Sequence, residues 1–164
     1  MMELSLNAIN ARSPYVVTLT PQGFTFQTEL GIHYNISFEP DNEIGGCPTY
    51  QFILKKVERE RSPHDPLVEP TILAIIDEFF RANFNVLLYI CDTSDGREAK
   101  RNRLFLMWFE KHADPERFTI RTAHAQIEKE TLYIAVIVEK RNPFYSDIQK
   151  QIDHDAALLS EKPE

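Results

Sequence analysis

A chain of 164 residues with 43% hydrophobic and 11% aromatic content is long enough to bury one core and short enough to need only one. Its 25 acidic against 18 basic residues leave a net charge of −7, which opposes non-specific binding to polyphosphate surfaces, so no nucleic-acid partner is expected. No stretch approaches the roughly 18 apolar residues that span a bilayer, and Met1 to Ser13 lacks the basic-then-apolar pattern of a secretion signal. The expectation is one cytoplasmic domain over 1–164, with its core at about 14–141 and no membrane partner.

The first third alternates apolar and polar residues with period two, through Tyr15, Val17 and Leu19, then Phe24 and Phe26, then Ile32 to Phe38, then Tyr50, Phe52 and Leu54. This predicts four antiparallel strands, each covered on one face. Thr20-Pro21-Gln22-Gly23 and Glu29-Leu30-Gly31 supply the first two turns, and Asp41 to Pro48 a longer loop that contains Gly45-Gly46 and Cys47. Lys55 and Lys56 make the wet face of the fourth strand basic.

Arg59 to Glu69 is a polar connection with Pro63 and Pro66. A helix is expected from Pro70 to about Asn83, with Ile72, Ile75, Ile76, Phe79 and Phe80 on one face. Val86 to Cys91 is apolar on both faces, as a central strand covered on both sides would be. A second helix follows from Arg97 to His112, its start marked by a capping box of Asp95 and Glu98. Phe118 to Ile127 and Thr131 to Glu139 form a hairpin around Glu128-Lys129-Glu130. The last helix, about 143–160, carries a narrow stripe of Tyr145, Ile148, Ile152, Ala156 and Leu159, suited to the sheet edge or to a homodimer seam. The fold class is α+β, a mixed, mostly antiparallel sheet of about seven strands flanked by three helices in the order β-β-β-β-α-β-α-β-β-α.

That order, over roughly residues 24 to 140, resembles the core of the GNAT acyl-CoA N-acyltransferases. The strand Val86 to Cys91 and a helix ending Leu106-Met107-Trp108-Phe109-Glu110-Lys111 look like that family's strand, helix and aromatic-Glu-Lys ending before its last hairpin. The resemblance implies acetyl-CoA as cofactor, a central sheet splayed open, and free backbone N–H groups at the helix that starts near Thr71. The family's Gln/Arg-x-x-Gly-x-Gly/Ala turn, whose N–H groups hold the pyrophosphate, is missing: no glycine lies between Gly46 and Gly96. The family's tyrosine acid is missing too, since Phe105 and Phe109 carry no hydroxyl. The scaffold therefore looks degenerate, and no cofactor is expected. The run from Thr71 through the Cys-Asp-Thr-Ser-Asp-Gly-Arg turn also resembles a family of small bacterial proteins of unknown function.

The densest chemistry is Asp92, Asp95, Arg97, Lys100, Arg101 and Arg103, at the carboxyl end of a central strand where open α/β sheets bind ligands. Arg97, Arg101, Leu104 and Trp108 would share one helical stripe, bringing two guanidinium groups toward Asp92. An anion could sit there; alternatively Asp92 pairs with Arg97 or Arg101 and closes the sheet end while Asp95 caps the helix. Asp92 and Asp95 could also serve a phosphate-directed, metal-dependent hydrolase, but no third acid follows from spacing and no metal is expected. His64-Asp65 reads as a solvated loop pair. Cys47 and Cys91 have no metal-ligand spacing and read as free thiols. The function expected is a non-catalytic module that binds a small anionic ligand or a protein partner's acidic group, with the acyltransferase as the alternative.

Overall fold

A computed structural model describes residues 3–92, 97–127 and 130–161, with side chains except at 92, 97–99, 124–127, 130–131 and 156–161. Four strands in succession, β1 (Val17–Thr20), β2 (Gly23–Gln27), β3 (His33–Ile44) and β4 (Cys47–Lys56), form an antiparallel meander. A short helix, α1 (Leu6–Asn10), precedes it, started by Ser5, whose hydroxyl accepts the Ala8 N–H. After the polar connection, α2 (Val68–Ala82) carries the chain over to β5 (Val86–Asp92), which lies parallel to β4. The helix α3 (Arg97–His112) leads to the hairpin of β6 (Phe118–Ile127) and β7 (Glu130–Glu139), and α4 (Tyr145–Glu161) ends the described chain. The seven strands stand in the order β1-β2-β3-β4-β5-β7-β6, an α+β fold with one parallel pair. No helix among the described residues is long and apolar enough to cross a membrane.

Alternation along the strands sorts side chains between two cores. Phe26, Ile36, Phe52, Leu87, Tyr89, Cys91, Ala135 and Ile137 face α2 and α3 and form the larger core with Ile72, Ile75, Phe79, Phe80, Phe105 and Phe109. On the opposite face Val86, Val136 and Val138 meet Ile148 of α4 and Cys47 in a smaller one. The expected two-sided burial of β5 and β7 is thus observed. Tyr145, Ile148 and Ile152 of α4 pack on the chain's own sheet; Ala156 and Leu159 lie outside the described side chains. Beyond α4 the same face of β1 to β4 has no helix on it, and its row Thr18, Thr25, Asn35, Lys55 runs side by side across four strands.

Three expectations need correction. The described residues form four helices; α1, at five residues, is too short to show a 3.6-residue period. Asp41 to Pro48 is no loop: β3 and β4 extend through it to a Gly45-Gly46 turn, with a bulge between Asp41 and Ile44. Most of the added β3 residues are exposed, so they carry no apolar alternation to read. Lys55 and Lys56 are neighbours on one strand, so they point to opposite faces, and only Lys55 stands opposite Asn35.

Gly45 fixes where α4 sits. Its φ is +62°, and a Cβ there would lie 2.5 Å from the Ile148 nitrogen and 2.7 Å from the Asp147 carbonyl carbon, backbone atoms that cannot step aside. Gly45→Ala combines a left-handed conformation with overpacking and should cost about 2 kcal/mol or more. Urea denaturation checks this; a loss within about 0.5 kcal/mol would mean that α4 shifts freely.

Candidate functional site

The parallel pair is short. β4 and β5 are in register only at Thr49–Val86, Tyr50–Leu87 and Gln51–Leu88, after which β4 stays with β3 as far as Lys56 and β5 with β7 as far as Asp92. On the core side, aromatic rings occupy the wedge between them: Phe52 lies 5.1 Å from Tyr89 and 5.9 Å from Phe105, centroid to centroid. Over the polar face of β1 to β4, reaching round the end of β4 that β5 leaves unpaired, lies a cleft of about 1050 Å³ lined by Thr25, Asn35, Ser37, Lys55, Lys56, Glu58, Arg59 and Arg101 among others, with no residue of β5 in its wall. Arg101 comes from α3, on the core face, and Lys55 points to the opposite face. They line one cleft because no strand pairing closes the sheet between them.

The cleft gathers four cations, Lys55, Lys56, Arg59 and Arg101, against Glu39 and Glu58. Glu58 is already engaged. It accepts the His33 backbone N–H at 2.7 Å and meets His33 Nδ1 at 2.6 Å, and these His33 bonds hold its carboxyl below the usual range. Lys56 Nζ donates to the Glu60 carbonyl and the Ser62 hydroxyl at 2.6 and 2.7 Å, which pins the segment after β4. On the floor Thr25 Oγ1 donates to Asn35 Oδ1, and Asn35 Nδ2 to the Gln22 carbonyl. Among the described residues Arg101 makes no ion pair.

Of the ligand candidates Asp92, Asp95, Arg97 and Arg101, Arg101 alone has a described side chain. Asp92 ends β5 opposite Leu132, and Arg97 opens α3; their side chains lie outside the described residues, as does Asp95 entirely. So do the Asp95 capping box, the Asp92–Arg101 pair and the Asp92–Asp95 metal pair. The helical stripe is not the expected one: Leu104 is 65% exposed, and Phe105, Leu106 and Phe109 carry the buried face, so Arg101 lies one turn before Phe105 on that face and not on a stripe with Leu104. His64 and Asp65 are no dyad, because Asp65 accepts a hydrogen bond from the Tyr15 hydroxyl and His64 lies 3.8 Å from Glu69. The pair that does form, His33 with Glu58, escaped the sequence reading; pairing of Tyr34 with Lys56 is what brings it together. The first turn of α2 is closed upon itself. Asp65 takes the Leu67 N–H through Oδ1 and the Val68 N–H through its carbonyl, the Leu67 carbonyl takes the Thr71 N–H, and Pro70 has none.

A second charged cluster sits near the start of β6. Arg117 reaches Asp77 at 3.1 Å and buried Glu139 at 3.2 Å, and Arg141 also reaches Glu139 at 3.0 Å. Burial raises the pKa of Asp77 although Arg117 and Arg12 pull it down. Next to it, Glu78 is held below the usual range by Arg81 and by the Ser5 N–H, a bond that ties α1 to α2. Both thiols are free and buried. Burial raises Cys47 and pushes Cys91 up to about 11. No group of three or more metal-binding side chains occurs among the described residues.

A family model described as a family of unknown function (DUF6169) matches residues 64–154, more than half of the chain, from the end of the β4–α2 connection into α4. No curated protein and no solved structure matches it.

Two outcomes follow from these environments. A carboxyl lowered in the folded state contributes stability that is present above its unfolded pKa and is lost as pH falls through the folded one. Glu78→Gln should therefore lower the melting temperature at pH 7 and flatten its decline below about pH 4.3. Asp77, raised, works the other way: its charge costs stability at neutral pH and protonation relieves that cost, so an unchanged acid limb in the variant would mean that Glu78 is not the group responsible. Thiols buried and raised in pKa are poor nucleophiles, so neither Cys47 nor Cys91 should react with Ellman's reagent at pH 7.5 until the protein unfolds. A thiol titrated in the folded protein would contradict the burial described.

Proposed function

We propose, for a chain that belongs to the family of unknown function DUF6169 and inherits no activity from it, that this protein is a binding module whose ligand is a small anion held in the cleft where β4 and β5 part. The observation that carries this reading is the convergence of Lys55, Lys56, Arg59 and Arg101 on one cleft in a chain of net charge −7. Like charges are not gathered without cost, and a concave site lined by one sign of charge focuses the field on an ion of the other. Arg101, half-buried, offers a planar fork suited to a carboxylate or phosphate. Glu58 is engaged by His33, and four cations against two acids leave the cleft a cationic balance. Among the described residues no hydroxyl or thiol of the cleft is hydrogen-bonded to a base, which is why the reading is binding and not catalysis.

A divergent acyl-CoA N-acyltransferase is the second reading. The early parting of β4 from β5 and the order of elements favour it. The closed first turn of α2, where that family's pyrophosphate donors would stand, and the buried Phe105 and Phe109 weigh against it. A phosphate-directed hydrolase built on Asp92 and Asp95 has no described side chain to support it.

Thermal-shift titration with pyrophosphate, citrate, coenzyme A and acetyl-CoA separates the readings, because a ligand at 100 times its Kd stabilises the native state by about 2.7 kcal/mol. The expected result is a saturable rise with pyrophosphate or citrate that weakens as salt is added. Arg101→Ala should weaken that binding about tenfold, roughly 1.4 kcal/mol, while costing under about 1 kcal/mol of unliganded stability. A loss of about 3 to 5 kcal/mol would instead mark Arg101 as half of a buried ion pair. A rise with the coenzyme A forms alone would turn the assignment to the acyltransferase, and no rise with any of them at millimolar concentration would contradict the proposal.

A further inference from the structure

We infer that the outer face of α3 docks an acidic amphipathic helix of a partner protein, at a surface separate from the cleft. One side of α3 is spent on the core through Phe105, Leu106 and Phe109. On the other side Leu104 and Met107 are each 65% exposed. Lys100 precedes Leu104 by four residues and Lys111 follows Met107 by four, so the four share one stripe. Spacing of four, three and four is the seam along which one helix packs against another, with apolar knobs at the centre and charges at the ends.

Charge selects the partner. Apart from Arg101, which faces the cleft, the helix from Lys100 to His112 carries Lys100, Arg103 and Lys111 against the single acid Glu110, in a molecule that is otherwise strongly acidic. An approaching acidic helix is attracted to this face, whereas two copies meeting α3 to α3 would oppose like charges. A bilayer is the weaker fit. Trp108, the aromatic that would anchor in lipid headgroups, is instead half-buried against Phe105 and His112, with ring centroids 6.2 and 4.4 Å apart. Methionine at the centre of the stripe suits a protein partner, since its unbranched thioether adapts to the surface it meets.

The probe is a synthetic three-heptad helix with Leu at a and d and Glu at e and g, a pattern whose self-repulsion keeps it from pairing with itself. Its counterpart has Lys at e and g, and the lipid control is phosphatidylserine–phosphatidylcholine vesicles. Trp108 is the chain's single tryptophan and adjoins Met107, so its fluorescence reports binding directly. The acidic helix is expected to bind with an affinity that falls as salt rises, and the basic one not to bind. Leu104→Ser with Met107→Ser, and separately Lys100→Glu with Lys111→Glu, should each weaken binding at least about tenfold without moving the melting temperature, because all four side chains are exposed. The inference is overturned if the acidic helix does not bind, if the basic helix binds as well, if neither double variant weakens binding, or if vesicles are the only probe taken up. None of these outcomes bears on the cleft, whose anion titration is read independently.

Discussion

The parting of β4 from β5 after three residue pairs is the constraint on which the rest of the molecule depends. A parallel pair needs a crossover, here α2, and adjacent strands twist relative to one another. β4 is committed to β3 and β5 to β7 along their full lengths, so the two halves of the sheet diverge as each keeps its own antiparallel partner. The wedge that opens on the core side is filled by Phe52, Tyr89 and Phe105. Because Phe105 belongs to α3, filling the wedge also places Arg101, one turn earlier, at its mouth.

The same divergence explains the uneven covering of the sheet. α4 packs over β5, β7 and the turn between β3 and β4, seated by Gly45, while the polar rows of β1 to β4 have no helix over them. A half-covered antiparallel meander ordinarily presents such a polar face to water, and its hydroxyls and amides alone would argue for nothing more. The position of its basic end beside the wedge makes the difference, because cations from β4, from the segment after it and from α3 then share one concavity. Charge elsewhere is handled by pairing: Arg117 and Arg141 meet Glu139, Arg81 meets Glu78, and Arg12 lies 3.7 Å from Asp77.

The order and facing of the larger elements were legible in the sequence. Val86 to Cys91 and Leu132 to Val138 alternate between two apolar sets, and each set meets a different layer of helices in the structure. Ile72 to Phe80 fixed both the type and the buried face of α2. What could not be read depended on register or on exposed backbone. Residues 39–43 of β3 are solvent-facing, so nothing in their polarity marks them as strand. His33 and Glu58 are 25 residues apart and meet only because β3 and β4 pair as they do. The cleft itself depends on where β4 and β5 stop pairing, a matter of twist and packing that leaves no pattern in composition. On α3 the buried face lies one position away from the stripe expected through Leu104: with Leu104 and Phe105 both apolar, the sequence does not say which of them turns inward.

The most direct test of the cleft is a two-dimensional 15N–1H titration of the labelled protein with pyrophosphate. Saturable shifts grouped at Lys55 to Arg59, Asn35, Ser37 and Arg101, with the first turn of α2 unmoved, are the predicted result. Shifts centred on Val68 to Thr71, or scattered shifts that never saturate, would contradict an anion held where β4 and β5 part.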